Sequence, residues 1–333
     1  MRHTGKIEIT ATALSPIVHG AGTSGNSQLL RQQDWFFIDP TTKKPIRCKV
    51  PFVSGNSIKH RIRNSAIRYA LDAMGVEDGT LSKPEVDLLF SGGHLAKGGA
   101  AIDLSSARKL AELLPPLSLC GYSAGNAMEE SRLMVSDLHV VCAENAARIP
   151  DDLATHPMLG VRAGELRGEE FGTRHDQATK HAGRRWLTDG AADAVAKRAG
   201  DKLLAPPKNK ASEERGDSAQ MIYDFGTIVA GSVLWGSVDY ADLTEGERAA
   251  LVSAFVYWST DRRGDQLVCG VGAKNSIGYG MLKFDLRTSM RIAAPSFEER
   301  ALIVEGDTEA GRYRAHLRDR KDEIIAAVRE AVA

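Results

Sequence analysis

The segment from Ser54 to Tyr69 carries Lys59, His60, Arg61, Arg63 and Arg68 and no acid. Asn56, Lys59, His60 and Arg63 stand at i, i+3, i+4 and i+7, so a helix places all four on one face. That face starts at a helix N-terminus, where free N–H groups and the macrodipole favour a phosphate. A solvated basic face is the plainer reading of such a run. The missing acids and the preceding Ser54-Gly55-Asn56-Ser57 turn favour phosphate contact, with Asn56, Ser57, Lys59, His60 and Arg63 as the contact residues.

A second concentration is the glycine-rich run Gly270 to Gly280, with Lys274, Asn275 and Ser276 at its tip. Glycine admits positive φ, and successive N–H groups in such a turn can cradle an anion. A turn that merely joins a helix to a strand reads the same way. The run is not a nucleotide-binding P-loop, because no Gly-Lys-Ser/Thr opens a helix after it. It is not a dinucleotide fingerprint either, because it enters a strand. A third run, Thr173 to Trp186, sets Arg174, His175, Lys180, His181, Arg184 and Arg185 against one acid, Asp176, and ends on Trp186. Basic groups beside an aromatic suit a single-stranded nucleic acid, and a solvated loop is the alternative. His19 and Asp34, in the loop from Ser15 to Asp34, offer acid–base or metal chemistry in principle. A lone His in a glycine loop more often supports a turn, so no catalytic residue, metal or cofactor is assigned.

The elements that must position these groups follow from periodicity. Lys6 to Leu14 alternates and reads as a half-buried strand. A Gly/Ser loop follows from His19 to Ser27, then short strands at Trp35 to Ile38 and Cys48 to Val53. From Asn56 to Met74 an apolar stripe of Ile58, Ile62, Ala66, Tyr69 and Ala73 predicts a helix. Leu81 to Leu89 predicts a shorter one. Residues 91–129 lack a sustained pattern. Arg132 to Cys142 reads as one strand, and Met221 to Phe225 and Ile228 to Val238 as two more. Thr244 and Glu247 have capping-box spacing ahead of a helix through Leu251, Ala254, Phe255 and Trp258. Met281 to Leu286 is a strand, and an amphipathic helix starts near Thr308. Residues 155–218 are charged, glycine-rich and poor in large apolar side chains, so they should protrude from the core. Two β-α-β units separated by a long polar insertion predict an α+β protein with a ferredoxin-like core.

Composition narrows the class. The chain has 333 residues, with 43 basic and 43 acidic side chains. A net charge of zero neither favours nor excludes nucleic acid, because the placement of charge decides. Cys48, Cys120, Cys142 and Cys269 are too scattered for a zinc ribbon or a disulfide scaffold. No apolar stretch approaches the roughly 20 residues needed to span a bilayer. The first ten residues lack the apolar centre of a secretion signal. A cytoplasmic protein with no membrane contact is expected.

The run "VPFVSGNSIKHRIRNSAIR" resembles a motif of RAMP-superfamily CRISPR proteins, P-x-[IV]-x-G-[ST]-S-[IL]-K-[GA]-x-[IL]-R. Pro51, Gly55, Asn56, Ser57, Ile58, Lys59, Ile62 and Arg63 occupy it, and His60 stands where a small residue is usual. "GVGAKNSIGYGMLKF" resembles the family's glycine-rich loop. "SRLMVSDLHVV" and "YDFGTIVAGSVLWGSV" resemble the strands on either side of its thumb. Within the family the chain is most similar to the type IV backbone (Cas seven-like) subunit, with type III second.

The resemblance implies an RRM-like palm, at 1–90 with 130–150 and 219–290. It implies a fingers insertion at 91–129, a thumb insertion at 155–218 and a C-terminal helical segment at 291–333. It implies a guide-RNA-binding subunit of a class 1 effector ribonucleoprotein in antiviral defence. Copies of the chain would line one guide as a helical filament, beside other effector subunits, and target nucleic acid would be read by guide base pairing. RNA contacts would fall on Asn56, Ser57, Lys59, His60 and Arg63, on Lys274, Asn275 and Ser276, and on Arg174, Lys180, Arg184, Arg185 and Trp186. A type III-like backbone subunit that cleaves target RNA is the alternative. Asp34 lies near that group's catalytic position but lacks its Gly-x-Asp-x-Pro context. A guide-processing nuclease using His19 or His60, and a single-strand binder outside CRISPR systems, are the further readings.

Overall fold

Strand β1 (His3–Ala13) buries Ile7, Ile9, Ala11 and Ala13 on one face and turns Glu8, Thr10 and Thr12 to the other. It is the middle of the protein. In the computed structural model, which describes residues 2–24, 27–39, 41–93, 104–124, 127–173, 186, 188, 222–263, 266–288 and 309–332, β1 pairs antiparallel with β12 (Val233–Leu243) on one side and β15 (Met281–Thr288) on the other. Outward from β12 lie β8 (Leu133–Val135) and β9 (Leu138–Val140), then β5 (Pro45–Val53) and β4 (Gln32–Ile38). Outward from β15 lie β14 (Gln266–Gly270) and β13 (Ser259–Arg263).

The order is thus β13-β14-β15-β1-β12-β9-β5-β4, with β8 also on β12, nine strands in all. Helix α1 (Gly55–Met74) intervenes between β1 and β9, and a later helix, α5 (Glu245–Trp258), between β12 and β15. Among β1, β9, β12 and β15 the spatial order is fourth, first, third, second. That is the interleaving of two split β-α-β units in a ferredoxin-like core.

The two helices pack side by side on one face of the sheet. The stripe predicted for α1 is buried at Ile58, Ile62, Ala66 and Ala73, while Tyr69 is half-buried and stacks on Tyr313. The capping box of α5 forms as its spacing requires, and Leu251, Ala254, Phe255 and Trp258 are buried. Each large aliphatic or Phe side chain among them contributes roughly 1.5–3 kcal/mol. Helix α2 is Lys83–Ser91. Residues without a clear pattern in sequence hold α3 (Leu104–Leu113), α4 (Pro115–Cys120) and a hairpin of β6 (Tyr122–Ala124) and β7 (Ala127–Glu129). At the C-terminus α6 (Glu309–Asp319) lies on α1 and α5, and α7 (Lys321–Glu330) on α3. A second sheet of four strands runs β10 (Arg167–Thr173), β11 (Ile222–Ile228), β3 (Ser27–Leu30), β2 (Gly20–Ser24). Among the described residues no helix is long and apolar enough to cross a membrane.

Three expectations are corrected. The single strand at Arg132 to Cys142 is broken at Ser136-Asp137, because Ser136 Oγ accepts the Ser237 N–H and Asp137 turns toward Gly55. The strand break expected near Gly226 falls instead at 229–232, since Ile228 exchanges two backbone hydrogen bonds with Ile17 and prolongs β11. The Gly/Ser loop from His19 to Ser27 is largely β2 and β3, which have no alternation of their own and exist by pairing with each other and with β11.

Glu247 shows how the helical layer is fastened. Its carboxylate, 3% exposed, accepts from Thr244 N (2.7 Å) and Ser118 Oγ (2.7 Å) and meets Arg132 Nε at 2.8 Å. Cap, α4 and β-strand layer therefore share one carboxylate. Glu247→Ala leaves Arg132 only the exposed Asp242 and Ser118 only the Pro115 carbonyl, and should cost roughly 3 kcal/mol. Thr244→Ala removes only the cap, about 1 kcal/mol. Urea denaturation of the two variants should show that ranking.

Candidate nucleic-acid interface

The basic helix face begins where three distant segments meet. Ser54 N–H donates to His19 Nε2 (3.0 Å), and Gly55 N–H donates to Asp137 Oδ1 (2.8 Å). A Cβ on Gly55 would lie 2.2 Å from the Val135 carbonyl oxygen, so only glycine lets the helix start this close to the strand. Ser54 Oγ caps Ser57 N–H. Asp137 thus already supplies the negative charge that a helix N-terminus favours. The attraction for a ligand phosphate falls on the side chains further along.

On that face Asn56 and His60 are exposed, and Ser57, Lys59 and Arg63 are half-buried. Arg63 donates to the carbonyls of Cys120 (2.7 Å) and Gly121 (2.6 Å) and so closes the end of α4. Lys59 has no carboxylate within ion-pair distance among the described residues. Partial burial, with the Arg63 guanidinium adding to it, holds its ammonium below the ordinary value, against a smaller opposing effect of Cys120. His60 is likewise lowered by burial and by Arg61 and Arg63, and its ring bonds to Asn64. Among the described residues no carboxylate pairs with Lys59, Arg61 or Arg63, and His60, held below its ordinary value, is neutral at pH 7.

The glycine-rich run lies directly against this helix. Arg61, which the helical-face reading left out, donates to the Gly272 carbonyl (2.8 Å) and to Asn275 Oδ1. Asn275 Nδ2 in turn donates to Val271 O (2.9 Å) and Tyr279 O (2.8 Å). Gly280, at φ +69°, sits so near Val271 O that a Cβ would be 1.9 Å from it. Asn275 is therefore a brace inside the loop, not a free ligand group. Lys274 is also engaged: its ammonium meets Tyr223 OH and lies 4.5 Å and 4.4 Å from the ring centres of Tyr223 and Phe225. Ser276 remains exposed at the tip, beside Ile277.

Trp186 requires a correction. It is 2% exposed and stacked on Phe90 at 5.7 Å, and its backbone pairs with Leu81, so it serves the core and cannot stack on a base. The apolar ring drew it inward; the basic residues before it gave no hint of that. Arg174, Lys180, Arg184 and Arg185 lie outside the described residues. The remaining candidates have structural partners. His19 is 8% exposed and its Nε2 is occupied by Ser54. Asp34 sits on β4, ion-paired to Arg47 at 2.8 Å, and the Arg47 hydrogen bond holds its carboxyl below the usual range. No group of three metal-ligating side chains occurs among the described residues.

No family model matches this chain. No curated protein matches it either. Among solved structures it is similar to a chain described as "Type IV-B CRISPR Complex", at 17% identity and a TM-score of 0.47, over 91% of this chain and 100% of that one. At that identity and TM-score the similarity carries no argument about what this chain binds.

The buried histidines give the interface a pH dependence. Burial, aided by Arg31 and opposed by Asp137, pushes His19 from 6.5 to about 4. His139 is pushed to about 4 by burial and Arg148, again against Asp137. The unfolded chain therefore binds more protons than the folded one between these values. Stability is complete above about 6.5 and falls as pH drops toward 4, by about 3 kcal/mol for His19. Thermal melts across that window should fall with acidification. His19→Gln, which keeps an acceptor for Ser54 but cannot titrate, should flatten part of the decline.

Proposed function

We propose that this chain is the guide-RNA-binding backbone subunit of a class 1, type IV-like CRISPR effector ribonucleoprotein. The observation that carries the reading is the half-buried Lys59 ammonium on α1. Lys59 is half-buried with no acid partner among the described residues, between exposed Asn56 and His60, and Arg61 fastens the glycine-rich loop against the same helix. These residues fall on the RAMP-like motif "SGNSIKHRIR". The proposal rests on the helix face. In this reading the ferredoxin-like sheet and its helices are the palm, 91–129 the fingers and 155–218 the thumb. Copies of the chain line one guide, beside other subunits of the complex.

A binding subunit of this kind reads phosphates and 2′-hydroxyls, not base sequence. Asn56, Ser57, Lys59 and His60 make the contacts, with Ser276 from the neighbouring loop. Arg63, Lys274 and Asn275 hold the surface in place. Target recognition is left to base pairing by the guide. The chain carries no catalytic role in this reading, and Asp34, tied to Arg47, contributes a surface ion pair only.

The test is purification of the chain after co-expression with a CRISPR array and its partner genes, followed by sequencing of the bound nucleic acid and sizing of the particle. A large particle with RNA of defined length is expected. Lys59→Ala should weaken RNA binding uniformly across sequences and reduce the salt slope by about one. Asp34→Ala should leave binding and target RNA unchanged. A nucleic-acid-free monomer, or RNA cutting that Asp34→Ala abolishes, would overturn the proposal.

A further inference from the structure

The β4–β5 ribbon presents a second face built for a single strand. The two strands pair from Gln32↔Pro51 to Ile38↔Pro45, whereas only Phe52 and Val53 of β5 pair onward to β9. Most of the ribbon therefore extends past the sheet as two strands alone. Its inner side is committed. Trp35 Nε1 donates to Glu144 O (2.8 Å), Arg148 lies 4.1 Å over the Trp35 ring, and Arg162 lies 5.1 Å over Phe37 and pairs with Asp39. Its outer side is not. Phe36 is 66% and Ile38 62% exposed, and the cross-strand register puts Arg47 beside Phe36 and Lys49 beside Asp34 on that same side.

Charge tells which partner fits. Between 32 and 53 the chain has four bases, Lys43, Lys44, Arg47 and Lys49, and two acids. Asp39 is buried and holds Thr41 and Thr42 N–H, and Asp34 is paired to Arg47. Lys43, Lys44 and Lys49 remain exposed and make no ion pair within 4 Å among the described residues, although Asp34, held by Arg47, faces Lys49 across the ladder. Protein interfaces are depleted in lysine, whereas a polyanion gains from each lysine by counterion release. An exposed aromatic among lysines suits stacked bases and tracked phosphates.

We infer that the outer face of this ribbon binds a single-stranded nucleic acid, a base stacking on Phe36 while Lys49 and the Lys43-Lys44 turn hold flanking phosphates. The inference takes its ligand from the proposed function but stands on residues apart from α1. The guide and a displaced target strand share this chemistry.

Fluorescence anisotropy of the full chain with an oligouridylate and with an oligodeoxythymidylate separates the cases. Phe36→Ala should weaken binding roughly fivefold to a hundredfold, the worth of one stacked base, with an unchanged salt slope. Phe36→Trp should restore it, and Lys49→Ala should lower the slope by about one. Because Phe36 is exposed, thermal melts should not move. A loss confined to the ribonucleotide marks a guide, and one confined to the deoxynucleotide a displaced strand; either supports the inference. Wild-type affinity in Phe36→Ala alongside lost affinity in Lys59→Ala would overturn it and leave the α1 reading intact. So would unchanged affinity with a smaller sedimentation coefficient, the mark of a protein-docking face. A wild-type chain that binds neither oligonucleotide would end both.

Discussion

The structure turns on how closely the first helix can approach the sheet. Gly55 has no side chain because the Val135 carbonyl occupies the space. Asp137 and His19 each take one N–H at that junction. Those three contacts come from the strand break at Ser136-Asp137 and from the segment after β1. They fix the axis of α1, and α1 fixes the rest: Arg63 reaches α4, Arg61 reaches the glycine-rich loop, and Tyr69 stacks against α6. A basic helix face in one orientation is therefore a consequence of local packing.

That arrangement also explains how a chain with no net charge can present a polyanion site. Acids are plentiful, but the buried ones are engaged in structural tasks. Glu247 joins a cap to α4 and Arg132, Glu144 accepts the Ala163 N–H, and Asp39 organises a turn. These acids take Arg132 and Arg162 as partners, away from Lys59. Segregation of this kind is invisible to a sum over residues and visible only once burial and partners are known.

Much of the frame was legible in sequence. Alternation gave β1, three-four spacing gave α1, and the Thr244–Glu247 box gave α5, because each signal is local. What failed were features decided at a distance. The break at Ser136-Asp137 depends on partners at Ser237 and Gly55. β2 and β3 depend on pairing partners. Trp186 depends on Phe90, nearly a hundred residues earlier. Within the candidate site, the concentration of basic residue types was legible in the sequence. Which side chains are free was not, since Arg63, Lys274 and Asn275 find partners that no spacing rule foretells. Arg61, counted among the bases of the run, was left out of the contact set because it lies off the face that the spacing picked out.

The placement of β1 has a consequence for how the molecule is made. Its residues, 3 to 13, pair with 233–243 and 282–288. At about 5–20 residues per second, the ribosome delivers those partners roughly 10–60 s after β1 itself emerges. Through that interval the centre of the sheet exists as a lone strand with Ile7 and Ile9 uncovered. The α1 segment can coil early, but the surface it must lie on is completed only once β12 and β15 have been made. Birth of this fold is thus a late closure, and a nascent chain stalled before β12 would hold its central strand with neither pairing partner yet made.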